Sequence, residues 1–136
     1  MKVRYDDGAF PLKRVYKTDA GLDIRAIEDG VVRAKQSATF HTGIHIELPQ
    51  DTMGDIRPKS GLMFSRDILT FGTVDEGYDG EIMIHMFNLG DDEFIVHRGD
   101  KIAQLVVTKV SYEYVIEVEE INHGERGSAG FGSTGR

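Results

Sequence analysis

The chain has 136 residues, 16 Lys and Arg against 23 Asp and Glu, a formal charge of −7 and no cysteine. That length suits one domain around one core, and an apolar content of 40% is that of a globular chain. The acidic balance argues against nucleic-acid binding, and the absence of thiols excludes disulfides and thiolate zinc sites and fits a reducing, cytoplasmic address. No apolar run approaches the roughly 18 residues of a membrane span, and the first ten residues hold no signal-peptide core, so no membrane partner is expected.

Strand signals dominate from the N-terminus onward. Leu22 to Ala26 alternates briefly. Ala38 to Leu48 reads as one longer strand, with Phe40, Thr42, Ile44, Ile46 and Leu48 on one face and His41, Gly43, His45 and Glu47 on the other. Ser60 to Arg66 is the one helical stretch, with Ser60 as its expected N-cap. Ile68 to Phe71 and Ile82 to Phe87 are β-like, the second expected to be covered on both sides, and between them lies GTVDEGYDGE, a glycine-marked reversal with one ring and four carboxylates. Ile102 to Val110 and Tyr114 to Val118 complete the set. Short strands cut by Gly and Asp turns predict an all-β chain, a jelly-roll-like distorted barrel or sandwich with one short helix. The expected domain covers residues 1–121, followed by a flexible C-terminal arm, residues 122–136, in which five glycines accumulate.

Several stretches carry possible chemistry, and each also has a plain reading. The reversal at 72–81 is either an acidic surface turn or a holder for a flat, ring-bearing molecule, because glycine lets backbone approach a ligand closely. Asp23 in AGLDIRA is either a turn cap or a functional acid. PKSGL is either a simple helix start or a phosphate site built from Lys59, Ser60 and Gly61. Gln104 stands in the apolar run of GDKIAQLV and needs a fixed partner, either backbone or a ligand oxygen. The tail RGSAGFGSTG is either disordered or a lid for an anionic, ring-bearing ligand. Lys59, Arg98, Lys101, Arg126 and Arg136 are the candidates for a local basic pocket. His41 and His45, four apart in a strand, read as cross-strand residues and not as a metal pair.

These five stretches, in this order and over nearly the whole chain, resemble the five motifs of the trimeric dUTP diphosphatase (dUTPase) family. The resemblance implies a β jelly roll assembled as a homotrimer, with active sites at subunit junctions and the C-terminal arm closing them. It implies hydrolysis of dUTP to dUMP and diphosphate with Mg²⁺ held by the triphosphate, which keeps uracil out of DNA and supplies dUMP for dTMP synthesis. On it, Asp75 is the carboxylate that activates the attacking water and meets the sugar 3′-hydroxyl, and Tyr78 packs under the deoxyribose. Gly72, Thr73, Val74 and Met83 read the uracil edge. Lys59, Ser60 and Gly61 hold the triphosphate, Gln104 assists at the α-phosphate, and Asp23 meets Mg²⁺ through water. Arg126 binds the γ-phosphate, Phe131 and Gly132 cover the uracil, and Ser133 and Thr134 donate to phosphate oxygens.

The chain departs from the family pattern in places. Lys59 stands where Arg is commoner, exchanging a bidentate phosphate contact for a point charge. Gly77 replaces a frequent Asp, Ala129 replaces a glycine, the segment from Ile68 to Gly72 is short and lacks a typical Asn, and Ser65 to Asp67 lack the usual basic-then-Gly order. Two rivals follow from the same resemblance: a dCTP deaminase of this fold, or a nucleotide-binding regulatory protein that acts through a partner. Against the first, Lys59-Ser60-Gly61 follows the diphosphatase pattern, and no Glu stands in a deaminase-like Arg-Ser-Ser context.

Overall fold

Period-two alternation decides which side of each strand turns inward, and two sheets use it to share one core. The computed structural model describes residues 1–129. Its strands are β1 (Lys2–Tyr5), β2 (Leu22–Arg25), β3 (Gly30–Val32), β4 (Ser37–Phe40), β5 (Ile44–Glu47) and β6 (Thr52–Arg57). After helix α1 (Ser60–Arg66) come β7 (Ile68–Thr70), β8 (Gly72–Val74), β9 (Ile84–Asn88), β10 (Phe94–Val96) and β11 (Lys101–Lys109). One sheet has the order β2-β11-β6-β8 and another the order β4-β9-β7, while β1 pairs with β5 and β10 with β3. Every pairing is antiparallel. Ile24, Ile56, Leu105, Ile68, Ile84 and Met86, drawn from both larger sheets, meet in one buried cluster with Phe40, Ile44 and Val96. The architecture is the expected all-β, jelly-roll-like sandwich with one short helix; the two larger sheets face a common core.

Four expectations need correction. The run from Ala38 to Leu48 is two strands, because Gly43 takes a φ of 65° and breaks the ladder: β4 pairs with β9, whereas β5 pairs with β1. Its face assignment holds across the break, with Phe40, Thr42, Ile44, Ile46 and Leu48 all buried. The N-cap of α1 is Lys59 and not Ser60, and no side chain caps it; the helix ends on Asp67 in the left-handed region. The outward side of β9 is uncovered in the chain, where Met83 and His85 are exposed and Phe87 is half-buried. Finally, Tyr114 to Val118 form no strand among the described residues: Val115 is 98% and Tyr114 94% exposed. A strand needs a partner ladder, and nothing among the described residues pairs with that segment.

The stretch between β7 and β9 is more than a hairpin loop. The predicted pairing is present, with Ile68 opposite Asn88 and Thr70 opposite Met86. Between them, however, the chain crosses at Phe71 to the other sheet, adds β8 beside β6, and then returns. Gly54, opposite Val74, makes this close: a Cβ there would lie 2.9 Å from Leu105 and 3.1 Å from Val74.

Candidate active site

The crossing leaves a cavity of about 390 Å³. Six predicted substrate residues line it: Gly72, Thr73, Val74, Asp75, Tyr78 and Met83. Phe71, Ile56, Glu81, Ile82 and His85 complete the wall. Val74 points into the core, so its neighbours Thr73 and Asp75 face outward, as strand alternation requires. Phe71 stacks on Phe87 with ring centroids 5.2 Å apart, and His85 meets Phe87 edge-on at 4.7 Å while sharing a 2.7 Å hydrogen bond with Thr39.

Tight local bonding shapes the turn from Asp75 to Glu81. The Tyr78 amide donates to the Asp75 carbonyl (3.1 Å), and Gly77 supplies the φ of 88° that this reversal needs. The Tyr78 hydroxyl donates to the Glu81 carbonyl (3.0 Å), laying the ring across Gly80, where a Cβ would lie 2.3 Å from the hydroxyl oxygen. The tight reversal thus sits at Gly77; Gly72 is an ordinary strand residue with nothing crowding it.

The four carboxylates of the turn have different roles. Glu81 accepts the amides of Thr42 (3.0 Å) and Gly43 (2.8 Å) and pairs with His41 Nδ1 (2.8 Å). Burial alone would raise its pKa, but these bonds bring it below the usual glutamate value, so it stays an anion that pins the turn to the 41–43 corner. Glu76 accepts the Asp51 amide (3.0 Å) and the Tyr112 hydroxyl (2.8 Å). Asp79 offers its carbonyl to His45. Asp75 is exposed and lines the cavity.

A second group lies on the neighbouring strands of the same sheet. Gln104 on β11 stands opposite Asp23 on β2 and Arg57 on β6. Its side-chain amide donates to the Pro58 carbonyl (2.9 Å), so its fixed partner is backbone, and glycine at position 21 clears room for it. Asp23 is buried; one carboxylate oxygen bonds to Lys59 and the other to Lys101 (2.7 Å). Burial raises the Asp23 pKa, and the two ammonium groups more than reverse this, holding it below the ordinary carboxylate value. Ser60 and Gly61 follow Lys59 in the first turn of α1, and nothing stands within 4 Å of the space a Gly61 Cβ would fill. Neither Asp23, Lys59, Ser60, Gly61 nor Gln104 lines the cavity at Asp75. Within one chain, the predicted site is therefore in two parts.

The remaining candidates lie elsewhere. Arg98 is taken up by the Gly8 carbonyl (2.7 Å) and by the Phe10 ring, 4.8 Å from its centroid, and so serves the N-terminal segment. Arg126 lies exposed in a turn where the Gly127 amide donates to the Gly124 carbonyl (3.0 Å). Phe131, Gly132, Ser133, Thr134 and Arg136 lie outside the described residues. Among the described residues, no group of three His, Asp or Glu is arranged to hold a metal. Sequence reading missed Glu81, Phe71 and the two histidines. The shared face of His41 and His45 was visible, but not that both would turn toward one turn.

A family model for dUTPase matches residues 9–135. The deoxyuridine 5′-triphosphate nucleotidohydrolase of Clostridium acetobutylicum is 42% identical over 139 residues, covering 99% of this chain and 96% of that protein. The enzyme of the same name from Gloeothece citriformis is 48% identical, with the same coverage of both chains. Among solved structures, the dUTPase of Staphylococcus bacteriophage 80alpha with dUpNHpp is 26% identical and superposes with a TM-score of 0.93, over 99% of this chain and 98% of that one. With the fold, the ordered motifs and a match over almost its full length in agreement, the chain belongs to the dUTPase family.

Proposed function

We propose that the chain hydrolyses dUTP to dUMP and diphosphate, with the cavity at Asp75 receiving the deoxyuridine and the Asp23–Lys59–Gln104 cluster receiving the phosphates. The observation that carries this reading is the convergence of Gly72, Thr73, Val74, Asp75, Tyr78 and Met83 on one cavity whose size suits a nucleoside. The Tyr78 ring, locked by its bond to Glu81, gives a flat wall for a deoxyribose and leaves little tolerance for a 2′-hydroxyl. Main-chain groups of β8 beyond their pairing with β6 are free to meet a uracil edge. A base with mismatched donors would leave them unpaired.

Asp75 is the general base. It takes a proton from water aimed at the α-phosphorus, and diphosphate leaves opposite the attack. Lys59 would exchange part of its bond to Asp23 for phosphate oxygens, with the free amides of Ser60 and Gly61 beside it. Gln104, held by Pro58, stands ready to donate at the α-phosphate. Mg²⁺ enters with the triphosphate as part of the substrate: both Asp23 oxygens are occupied by lysines, so that carboxylate does not fit as a direct ligand, and no step here depends on one.

The site is complete only when chains combine. Two observations support three copies of this chain sharing sites: the separation of the cavity from the phosphate cluster, and the exposure on the protomer of Tyr114, Val115, Ile116, Val118 and Ile121. The arm, residues 122–136, would then bring Arg126 to the γ-phosphate and Phe131, Gly132, Ser133 and Thr134 over the nucleotide. No helix among the described residues is long and apolar enough to cross a membrane. Diphosphate release measured in parallel on dUTP, dCTP, dTTP and UTP with Mg²⁺ tests this reading. Release from dUTP alone is expected; ammonia from dCTP, or binding of dUTP without turnover, would replace it with a deaminase or a binding protein.

A further inference from the structure

The turn bearing Asp75 and Tyr78 is fastened along its far side to residues 41–45. The Ile82 amide donates to the Ile44 carbonyl (2.8 Å), the Thr42 hydroxyl donates to the Ile82 carbonyl (2.5 Å), and Glu81 gathers the amides of Thr42 and Gly43. These bonds anchor the C-terminal end of the turn. Its middle, next to Tyr78, is held differently. His45 Nδ1 lies 2.9 Å from the Asp79 carbonyl, and His45 Nε2 lies 3.0 Å from a carboxylate oxygen of Asp6.

Both of these partners are acceptors only, because a carbonyl oxygen and an ionised carboxylate have no proton to give. Both ring nitrogens must therefore donate, and only the imidazolium can do so. A neutral ring keeps one of the two bonds and turns a lone pair toward the other oxygen. The surroundings favour the charged ring. Asp6 is held by Arg4 (2.5 Å), completing a chain of Arg4, Asp6, His45 and the Asp79 carbonyl that ties the N-terminal strand β1 to the turn. Lys2, Glu47 and Asp79 border the same small cleft; Lys2 and Glu47 neutralise each other at 2.7 Å. The Asp79 bond and then Asp6 raise the His45 pKa above that of free histidine, against burial and the repulsion of Arg4.

We propose that His45 is a positioning residue for this reaction: in its doubly protonated form it fixes Asp79, and through it the Tyr78 ring, at the nucleoside cavity. Proton loss from the ring releases the middle of the turn while Glu81 and Ile82 keep its end in place. The consequence is looser nucleoside binding and not unfolding. The sign follows from the elevated pKa: the fastening is complete below the ordinary histidine value, about 6.5, and is lost as pH rises through the higher value in the folded chain. The inference rests on the reading of the cavity as the deoxyuridine site.

Steady-state hydrolysis of dUTP with Mg²⁺ by the full chain, from pH 6 to 9, tests it alongside His45→Gln, whose amide still donates to one partner but does not titrate. The substrate's terminal phosphate also titrates, at about pH 6, so the variant provides the baseline. The wild-type KM should rise by about fivefold relative to His45→Gln across this range, the size of one lost hydrogen bond, while the kcat profiles of the two stay parallel. Nitrogen-15 spectra of the histidine rings supply a measurement independent of turnover: at pH 6, His45 should show two protonated nitrogens and titrate later than free histidine, and Asp6→Asn should lower its midpoint. A KM ratio constant with pH, or a His45 ring with one bare nitrogen at pH 6, overturns the proposal. If the wild-type chain turns over no dUTP, the catalytic reading fails by itself, and the ring spectra still decide the state of His45.

Discussion

Asp75→Asn keeps the shape of the side chain and removes its basicity. If Asp75 takes the proton from the attacking water, kcat should fall by roughly 10²–10⁴-fold, with dUTP affinity within a few-fold of wild type. Calorimetric binding of dUpNHpp and single-turnover diphosphate release separate these effects; an unchanged kcat would reassign the base. A second test concerns Gly80. An added methyl there would sit 2.3 Å from the Tyr78 hydroxyl and 2.5 Å from the ring carbon that carries it, so the ring of Gly80→Ala must move off the turn. Because Tyr78 is 47% exposed and belongs to no core cluster, the melting temperature should change little while KM for dUTP rises several-fold. A variant with normal KM would remove Tyr78 from the nucleoside wall. That Asp75 and Tyr78 share one reversal was legible in the sequence because the motif around them is local and contiguous. The paired lysines on Asp23 were not, since they depend on how β11 aligns with its neighbours, setting Gln104 opposite Asp23 and Arg57. That alignment joins residues 81 and 47 positions apart, and no short-range pattern encodes it.

At the scale of elements, period-two alternation located β2, β4 with β5, β7, β9 and β11, and passed over the short strands β1, β3 and β10 and the central β6. It could not find the break at Gly43, since alternation passes through a glycine unaltered, nor β8, three residues long and flanked by turn signals. It also made a strand of Tyr114 to Val118. The residues there are β-formers, but forming a strand depends on a partner that sequence periodicity does not supply. The C-terminal stretch follows the same logic. Beyond Lys109 no described residue belongs to a strand or helix, and Tyr112 is tied to the turn only through Glu76. Deleting residues 126–136 should therefore leave the melting temperature within about 2 °C, because the described residues of that stretch, 126–129, are all exposed. The kcat/KM for dUTP should fall at least tenfold if Arg126 and Phe131 act on the nucleotide. A large drop in melting temperature, with activity retained in the folded fraction, would make the arm a structural element instead.

For the whole molecule, the cavity at Asp75 and the cluster at Lys59 can serve one nucleotide only if association brings them together, since Lys59 and Asp23 do not line that cavity within the chain. Exposed apolar residues give the physical motive for association: Tyr114, Val115, Ile116, Val118 and Ile121 are all more than half accessible on the protomer, a run that water disfavours. Association through that segment would cover it and bring one chain's cluster to another chain's cavity. Sedimentation should accordingly find three copies of the 15.2 kDa chain. Val115→Glu combined with Ile116→Asp should shift the population toward monomer and abolish turnover even though neither residue lines the cavity. The sharper test is complementation. Asp75→Asn spoils the cavity half of a site, whereas Lys59→Ala spoils the phosphate half. Each variant alone should be nearly inactive. If the halves come from different chains, mixed assemblies made by co-expression contain some junctions where both contributing faces are intact, about a quarter for random mixing. Activity should then return to that order. If each chain builds its own site, no mixture contains an intact one, and the co-expressed pair should be as inactive as its parents.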